Sequence, residues 1–540
     1  MGFSRRTTKC GRFTIAYGYR RGEQRCFGKY NQTRVGLDMH VIDCMPRCDI
    51  SRVSLGVHVV GATLPSPDPN DYETLVGGVS KRVGCVVPEC DSGLLRDFRS
   101  FVRSWIRRNL DPLDPKTDLS FASWLPKTNY PDWRKDQLRR AFGKCGGILY
   151  PRHLYNKSFI KREGYYTQDV CYKEARTINS RSDAFKCVSG PVFHAIEEQL
   201  YQRHEFIKHV PVAERADYVT RLLYKPGGTY FSTDYSSFEA CFSRQVMQAC
   251  ELQLYAHMLK NCEHSGAIMG VVKKALAGRN VLWFRNLRVK VDATRMSGDM
   301  CTSLGNGFTN LMLMKFWAFK HGVVVDGVVE GDDGLFCFDS DVDPDPKFFE
   351  KLGMRLKIDK WADFAMAGFC SMIFNPETRR VLADPIKRLL NTGWTFSDLR
   401  FDVNSHLALL KGKAMSLVCG NPGNPILASF GRYLLRVCGS SVAKYSGLSG
   451  TKDYFEQGLD YEKFGQYLDM AVQMEDRLLV ERKFGVPVSH QLAVEHYFDS
   501  CQVLQPIPFW VVAVNIPEQC VRYDMTHVFV VDELTSRWKR

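Results

Sequence analysis

Hydrophobic and polar positions follow two patterns along the chain, and together these predict both helices and strands. Apolar residues at helical spacing occupy 119–142, where Pro131 is placed in the first turn of a basic helix. A glycine-containing loop from residue 297 leads into a long apolar helix that Gly322 is placed to end. Short apolar runs predict a strand near residue 230 and hairpins in 280–291 and 328–338. The fold is therefore of the α+β or α/β class.

Composition indicates a folded protein with a polyanionic partner. The chain has 540 residues, enough for two to four subdomains, with 45% hydrophobic and 24% charged residues. Its formal net charge is +14. Since Lys and Arg neutralise phosphates and release counterions, this charge favours nucleic acid as the partner, although basicity alone is a weak signal.

The cysteines and the apolar runs indicate where the chain can reside. Nineteen scattered cysteines predict reduced thiols packed as small apolar side chains. A zinc site is the alternative near the N-terminus, although paired Cys-x-x-Cys knuckles are missing; the candidates are Cys10, Cys26, Cys44, Cys48, Cys85 and Cys90. No signal peptide opens the chain and no run approaches about 18 apolar residues, so we predict no transmembrane segment.

Acidic residues interrupt two of the apolar runs. Asp332 and Asp333 lie between the apolar halves of VVEGDDGLFCF, Val328–Phe338. Read alone, this stretch indicates a turn. Asp234 and Glu239 follow another apolar run in TDYSSFE, where a helix N-cap is the simpler interpretation of Asp234. The case for a site depends on the neighbouring motifs.

A polar motif precedes the long apolar helix. SGDMCTSLGN contains Ser297, Gly298, Thr302 and Asn306, and the last two are four residues apart on one helical face. A Ser-Gly pair lets the backbone approach a ligand closely, and Asn can both donate and accept hydrogen bonds. A capped helix with buried polar residues is the alternative.

A basic segment lies upstream of the acidic residues. KEARTINSRSDAFK places Lys173, Arg176, Arg181 and Lys186 within fourteen residues. A run of charges is usually a solvated face. Upstream of acidic residues that can bind metal, the same cations are suited to a triphosphate.

In this order the four motifs resemble those of viral RNA-dependent RNA polymerases. TDYSSFE is similar to the first catalytic motif, SGDMCTSLGN to the second, EGDD to the third and KEARTI to the basic fingers motif. RMSGDMCTSLGN and the later GNPGNPIL resemble the tombusvirus-like and nodavirus-like group of positive-strand RNA viruses. The resemblance covers roughly residues 119–430.

The resemblance implies an α+β fold with the right-handed fingers, palm and thumb arrangement, in which helices flank an antiparallel palm sheet. The implied divisions are an N-terminal extension that packs on the fingers, fingers with the basic motif, a palm with a fingers insertion at about 255–292, and a thumb with the C-terminal region. Their bounds are 1–115, 116–225, 226–385 and 386–540.

The resemblance also implies metal and catalytic roles. Asp234 and Asp332 would bind two Mg²⁺ ions, for which Mn²⁺ can substitute, and Asp333 would bind or orient one of them. A lysine is expected to protonate the pyrophosphate; of Lys357 and Lys360 we prefer Lys360. FCSMIF, Phe369–Phe374, is similar to the motif that meets the primer backbone.

Substrate contacts follow from the same resemblance. Glu239 stands where the family usually has an aspartate, and with Ser297 and Asn306 it would contact the ribose 2′-hydroxyl. The same motif supplies Gly298 and Thr302 to the substrate site. Three cations would bind the triphosphate: Lys173, Arg176 and Arg181.

The function implied is synthesis of RNA on an RNA template, replicating a viral positive-strand genome from ribonucleoside triphosphates. A reverse transcriptase and a non-catalytic, palm-like RNA-binding scaffold are the alternatives. Template and product RNA are the expected partners, along with a viral membrane-anchoring replication protein. Such a partner would recruit the chain to membrane-associated replication complexes in the host cytoplasm.

Overall fold

The described part of the computed structural model covers most of the chain. Its ranges are 15–18, 37–41, 50–69, 71–167, 173–285, 287–396, 403–441, 443 and 463–530. Four zinc candidates lie outside the described residues: Cys10, Cys26, Cys44 and Cys48. The described cysteines are free thiols, and most are buried.

Strands occur from one end of the described chain to the other. They are β1 Ile15–Gly18, β2 Asp38–Val41, β3 Ile50–Ser54, β4 Asn156–Ile160, β5 Thr177–Arg181, β6 Tyr230–Tyr235, β7 Arg279–Trp283, β8 Leu287–Asp292, β9 Val325–Glu330, β10 Asp333–Phe338, β11 Leu356–Trp361, β12 Ile373–Asn375, β13 Arg380–Leu382, β14 Trp394–Thr395 and β15 Val528–Val530.

Helices separate the strands. They are α1 Tyr72–Arg82, α2 Ser92–Asn109, α3 Phe121–Lys127, α4 Asp132–Cys145, α5 Asp183–Leu200, α6 Arg215–Leu223, α7 Phe238–Cys241, α8 Arg244–Ala249, α9 Glu251–Met258, α10 Ser265–Leu276, α11 Thr302–His321, α12 Pro346–Glu350, α13 Pro385–Thr392, α14 Val403–Gly420, α15 Leu427–Cys438, α16 Phe464–Leu468, α17 Met474–Phe484, α18 Val488–Ser500 and α19 Glu518–His527.

The long elements predicted from the pattern are confirmed. The apolar helix is α11, and it ends at Gly322, whose φ of 67° is the left-handed conformation that glycine adopts without strain. Both hairpins form, as β7–β8 and β9–β10. Pro131 is the N-cap of α4 and so lies just before its first turn. The fold is a mixture of helices and antiparallel sheets, as predicted.

A four-stranded sheet lies at the centre of the largest core. Its order is β11-β6-β10-β9, and every pair in it is antiparallel. Helix α11 packs against β9, and the ring of Phe338 on β10 contacts those of Phe231 and Trp317. Residues of α11 are buried on nearly all sides, which explains its apolar composition.

The second large sheet has five strands, in the order β2-β8-β7-β4-β5. Strands β4 and β7 run parallel, and the other pairs are antiparallel. The backbone N–H of Gly298 donates to the carbonyl of Asn179 on β5, at 3.1 Å. A Cβ at Gly298 would lie 3.0 Å from that carbonyl oxygen and 3.1 Å from the Ser180 Cα, so the close approach requires glycine.

Residues 50–66 connect distant parts of the chain. The N–H of Val60 donates to the carbonyl of Ile507 at 2.9 Å, and Tyr165 N–H donates to the Pro65 carbonyl at 2.7 Å. The Tyr523 hydroxyl donates to the carbonyl of Ser66, 457 residues away in sequence. This N-terminal segment is therefore built into the fold. Across the described residues, no helix has the length and apolar character needed to cross a bilayer.

Candidate active site

The β9–β10 hairpin presents the two adjacent aspartates at its tip. Glu330 and Asp333 are the last paired residues, so Gly331 and Asp332 form the connection between the strands. Gly331 has a φ of 61°, a conformation that suits glycine at the first position of a tight hairpin turn. The turn predicted from the sequence is confirmed, and it exposes Asp332.

Asn310 of α11 holds this tip in place. Its Nδ2 donates to the carbonyl of Asp332 at 3.1 Å, and its Oδ1 accepts from the Tyr235 hydroxyl at 3.1 Å. Asn310 is fully buried. Asn310 is not among the residues predicted from the sequence, although a second polar residue four positions after Asn306 in an apolar helix is a signal for it.

Asp234 reaches the same edge of the central sheet. Thr233 on β6 is paired with Gly334 on β10, so the residues next to them, Asp234 and Asp333, lie at the same end of two neighbouring strands. Asp234 is exposed and Asp333 is half-buried. Two separate motifs therefore bring their carboxylates to one edge of the sheet.

The two aspartates of the hairpin, Asp332 and Asp333, have raised pKa values. Burial, followed by the negative charges of Glu239 and Asp333, raises the pKa of Asp332 to about 7. Although Asp332 is accessible to water, protein replaces much of the solvent around its carboxyl. Burial likewise raises the pKa of Asp333 to about 6, helped by the charge of Asp234 and opposed by a hydrogen bond from the Cys370 thiol.

The chemistry of this group fits a hard divalent cation. Carboxylate oxygens are the ligands that Mg²⁺ prefers, and a bound cation would relieve the repulsion that favours protonation. Among the described residues, no three His, Cys, Asp or Glu side chains are arranged as a ready-made metal site. The residues available to hold a cation are Asp234, Asp332 and Asp333.

A cleft lies next to Asp332, because its lining includes Glu239 and Arg176, whose charges act on the Asp332 carboxyl. The lining combines cations of four segments with candidate sugar-binding groups: Arg82, Lys161, Arg176, Thr177, Ile178, Asn179, Glu239, Arg295 and Ser297. Arg82 is the last residue of α1, and Lys161 directly follows β4. Neither residue is predicted from the sequence, because nothing in the local sequence shows that these segments meet.

Arg176 is oriented within this cleft. Its guanidinium forms two hydrogen bonds with the Glu163 carboxylate, which also lies 3.1 Å from the Lys161 ammonium. Arg176 is also close enough to lower the pKa values of Asp332 and Asp333. Lys173 is exposed and does not line the cleft. Of the three cations predicted to bind the triphosphate, the structure brings Arg176 to the cleft.

The structure corrects the role of Arg181. This side chain is buried, and its Nε lies 2.7 Å from the Asp299 carboxylate. The remaining guanidinium nitrogens donate to the carbonyls of Leu154 and Ala275 and to Asn280 Oδ1. Arg181 therefore joins the five-stranded sheet to the segment before α11, and it has no guanidinium nitrogen left for a triphosphate.

The SGDMCTSLGN residues divide between the cleft and the interior. Ser297 lines the cleft and donates to the Thr177 carbonyl at 2.7 Å. The Thr302 hydroxyl is used within its own segment, because it donates to the carbonyls of Met296 and Asp299. Asn306 is 2% exposed, and its Oδ1 has no hydrogen-bond partner among the described residues. The structure therefore brings Glu239 and Ser297 to the cleft, whereas Thr302 and Asn306 do not line it.

The two lysines of β11 lie on opposite faces of the central sheet. Lys357 is paired directly with Asp234, and directly opposed residues share a face of the sheet. Lys360 is paired with Phe231 and points to the opposite face, where its ammonium lies 2.6 Å from Asp343. The preference for Lys360 is therefore not supported, and Lys357 is better placed.

Cys370 is another residue whose position the sequence did not reveal. Its thiol donates to Asp333, and its Sγ lies 3.9 Å from the Glu330 carboxylate. Cys370 and Ser371 have φ values of 51° and 59°, which are uncommon for residues other than glycine. This turn of FCSMIF therefore reaches the aspartate hairpin.

Comparison with known proteins agrees with this site. Residues 186–389 match the sequence model of the family described as viral RNA-dependent RNA polymerase. Over these residues the chain is similar to viral RNA-dependent RNA polymerases. The matched segment contains the hairpin, Asp234 and the SGDMCTSLGN motif, whereas Arg82, Lys161 and Arg176 precede it. The resemblance inferred from the motifs is confirmed.

Individual polymerase relatives come from plant viruses. The RNA-directed RNA polymerase of Turnip crinkle virus is 22% identical over 413 residues, covering 70% of this chain and 51% of the relative. That of Groundnut rosette virus is 26% identical over 491 residues, covering 83% and 54%. The putative polymerase of Barley yellow dwarf virus, isolate PAV, is 25% identical over 418 residues, covering 71% and 45%. The chain spans about half the length of these curated relatives.

Proposed function

We propose that the chain is an RNA-dependent RNA polymerase that replicates a positive-strand viral genome by two-metal nucleotidyl transfer. The observation that carries this proposal is the meeting of Asp332 and Asp333 with Asp234 at one sheet edge, next to a cleft lined by Arg176. Nucleotidyl transfer needs little covalent chemistry from the protein. It requires positioning and the neutralisation of phosphate charge, which this arrangement can supply.

The chain's own residues divide the work. Asp234, Asp332 and Asp333 would hold Mg²⁺ or Mn²⁺, and the ions would activate the attacking 3′-hydroxyl and neutralise the triphosphate. The cations of the cleft, Arg82, Lys161 and Arg176, would hold the triphosphate. Glu163 fixes the direction of Arg176 by its two hydrogen bonds.

The sugar and the leaving group would have separate contacts. Glu239 and Ser297 lie in the same cleft as the cations and would contact the ribose 2′-hydroxyl. The longer Glu239 also extends its charge toward Asp332, as the raised pKa of Asp332 indicates. Lys357, on the Asp234 face of β11, would supply the proton to the pyrophosphate.

In the proposed polymerase, the two large sheets would belong to different parts of the fingers, palm and thumb arrangement. The central four-stranded sheet would be the palm, within 226–385, and the five-stranded sheet would belong to the fingers. The thumb would comprise 386–540. Recruitment to membrane-associated replication complexes in the host cytoplasm, through a viral membrane-anchoring protein, belongs to the same proposal.

Replacement of Asp332 tests the catalytic assignment. In Asp332→Ala, we expect template-dependent incorporation of ribonucleotides in Mg²⁺ or Mn²⁺ to fall by at least about 1,000-fold, a loss typical of transition-state charge stabilisation. Circular dichroism should show an unchanged fold, because Asp332 lies at an exposed hairpin tip. Asp136→Ala, which removes an exposed carboxylate on α4, is the matched control and should retain activity.

The same assay distinguishes the alternatives. Synthesis from deoxyribonucleotides in preference to ribonucleotides would indicate a reverse transcriptase. RNA binding without any synthesis by the unaltered chain would indicate a non-catalytic scaffold. Full activity of Asp332→Ala would contradict the proposed site.

A further inference from the structure

The outer face of the five-stranded sheet carries exposed aromatic rings that the proposed mechanism does not use. On β4, Lys157 and Phe159 point outward while the alternate residues are buried, and Tyr155, just before the strand, continues this exposed side. Phe159 is 51% exposed and Tyr155 is 42% exposed. Single large rings are common on protein surfaces. Several exposed rings in a row, with cations between them, instead indicate a binding surface.

The register of the sheet extends this row across three strands. Lys157 on β4 is paired with Trp283 on β7, and Trp283 is paired with Arg288 on β8. Directly paired residues project from the same face. Trp283 is 40% exposed, and the Arg288 guanidinium lies 4.3 Å from the centre of its ring. We call Tyr155, Lys157, Phe159, Trp283 and Arg288 the aromatic row.

The aromatic row leads to the cleft of the candidate active site. Phe159 is paired with Ile178 on β5, and Ile178 is one of the residues that line the cleft. Lys161, two residues beyond Phe159, lines it as well. A strand rises about 3.3 Å per residue, so Phe159 lies within roughly 7 Å of a cleft-lining position along its own strand. The row and the cleft therefore form one continuous surface.

The charge on this face is mainly positive. Lys157, Arg288 and Lys290 project from it, and so does Arg279, which lies 3.9 Å from the carboxylate of Asp292. Cations interleaved with aromatic rings match a chain of phosphates that carries unstacked bases. Bases stack on the rings regardless of sequence, and the cations neutralise the backbone.

We propose that the aromatic row binds single-stranded RNA and guides the template strand to the cleft. This inference rests on the proposed polymerase function, because it assigns a place to the template of that reaction. Single-stranded RNA fits better than duplex RNA, whose bases are already stacked and present no faces to the rings. The row thus adds an RNA-binding surface outside the cleft itself.

Equilibrium binding separates the two components of this surface. A fluorescein-labelled, unstructured RNA of about 12 nucleotides is titrated with the full chain, without nucleotides, over a range of salt concentrations. We expect Phe159→Ala/Trp283→Ala to weaken binding by roughly 10-fold or more, since each lost ring removes a surface on which a base can stack. The slope of log affinity against log salt should stay unchanged, because no cation is lost.

The cationic variant should show the complementary behaviour. Lys157→Gln/Arg288→Gln should reduce the salt slope by about 0.7 for each cation that contacts a phosphate. Phe319→Ala/Trp510→Ala removes two similarly exposed rings elsewhere and is the matched control, with unchanged binding expected. Thermal unfolding of every variant shows whether the fold is retained.

The outcomes separate this inference from the proposed function. Wild-type affinity in both double variants, or equal competition by duplex RNA, would overturn the aromatic row as a single-strand site. Loss of RNA binding in the row variants of a chain that never synthesises RNA would support the row and contradict the polymerase. Asp332→Ala should bind the RNA as the unaltered chain does.

Discussion

Carboxylates occur in two opposite environments on either side of the SGDMCTSLGN segment. Glu251 is fully buried and lies 2.5 Å from the guanidinium of Arg295, which is equally buried. Burial works against the charged form of Arg295, but the Glu251 carboxylate outweighs it and raises the pKa of Arg295. At the hairpin tip, Asp332 and Asp333 form no ion pair with any described residue, and their pKa values are raised instead.

The difference shows how position decides what an acidic residue does. In the interior, a charge without a partner is costly, so an arginine accompanies Glu251. At the cleft, the carboxylates of Asp332 and Asp333 form no ion pair with a described residue, so a cation from solution can bind them. Even within the hairpin both cases occur: Glu330 is 2.8 Å from the buried guanidinium of Arg215. The aspartates at the tip form no ion pair with a described residue, and Arg176 acts on them only at longer range.

The largest expected effect comes from breaking the interior pair. Glu251→Gln leaves the Arg295 charge buried without its partner, and we expect a loss of about 3–5 kcal/mol in the free energy of unfolding. Urea denaturation measures it. Glu263→Gln, at an exposed position after α9, is the control and should change stability by less than about 0.5 kcal/mol. If Glu251→Gln were as stable as this control, the interior carboxylate would not be needed to compensate the buried Arg295 charge.

A smaller effect is expected in the pH dependence of stability, through Asp332 at the hairpin tip. The Asp332 carboxyl has a pKa of about 7 in the folded state, against a usual value of 3.8. Between these two pH values, the folded state therefore binds a proton more tightly than the unfolded state does. Without divalent cations, stability should therefore fall as the pH rises from about 4 to about 7. Asp332→Asn should flatten this part of the curve of Tm against pH.

Adding Mg²⁺ to the same measurement tests whether the aspartates of the tip bind a cation. Added Mg²⁺ should raise Tm more at pH 8 than at pH 5, because only the ionised carboxylates bind it. Superimposable pH curves for Asp332→Asn and the unaltered chain would show that Asp332 does not bind its proton more tightly in the folded state.

The smallest effect concerns the sugar contact. Glu239→Ala removes one hydrogen-bond acceptor from the cleft, and we expect the preference for ribonucleotides over deoxyribonucleotides to fall by about 2- to 12-fold, the equivalent of one net hydrogen bond. The ratio of kcat/KM values for the two substrates measures it. An unchanged ratio, with only the rate of incorporation altered, would place Glu239 at the metal site instead of the ribose.

Local chemistry made much of this predictable. The apolar runs and the Gly-Asp-Asp break identified the hairpin, and the apolar periodicity identified α11 with its end at Gly322. Motif order then related Asp234 to Asp332 and Asp333, although about 100 residues separate them. Each of these signals is contained in a short stretch of sequence, which is why it could be read directly.

The remaining assignments depended on tertiary contacts. Arg176 and Arg181 are five residues apart in one basic segment, yet one lines the cleft and the other is buried against Asp299. The face of Lys360 depended on the register of β11 with β6, which spacing alone does not determine. Arg82 enters the cleft from a helix that lies about 80 residues before Lys161, and only the folded chain brings them together.

The hydrogen bond between Tyr523 and Ser66 also sets an order of events during synthesis. At about 5–20 residues per second, a ribosome needs roughly 20 to 90 seconds to make the 457 residues that separate these partners. Residues 50–66 thus leave the ribosome well before the residues that complete their contacts. Throughout that interval residues 50–66 lack their contacts with Ile507 and Tyr523, and nascent chains therefore depend on other means to protect this apolar segment.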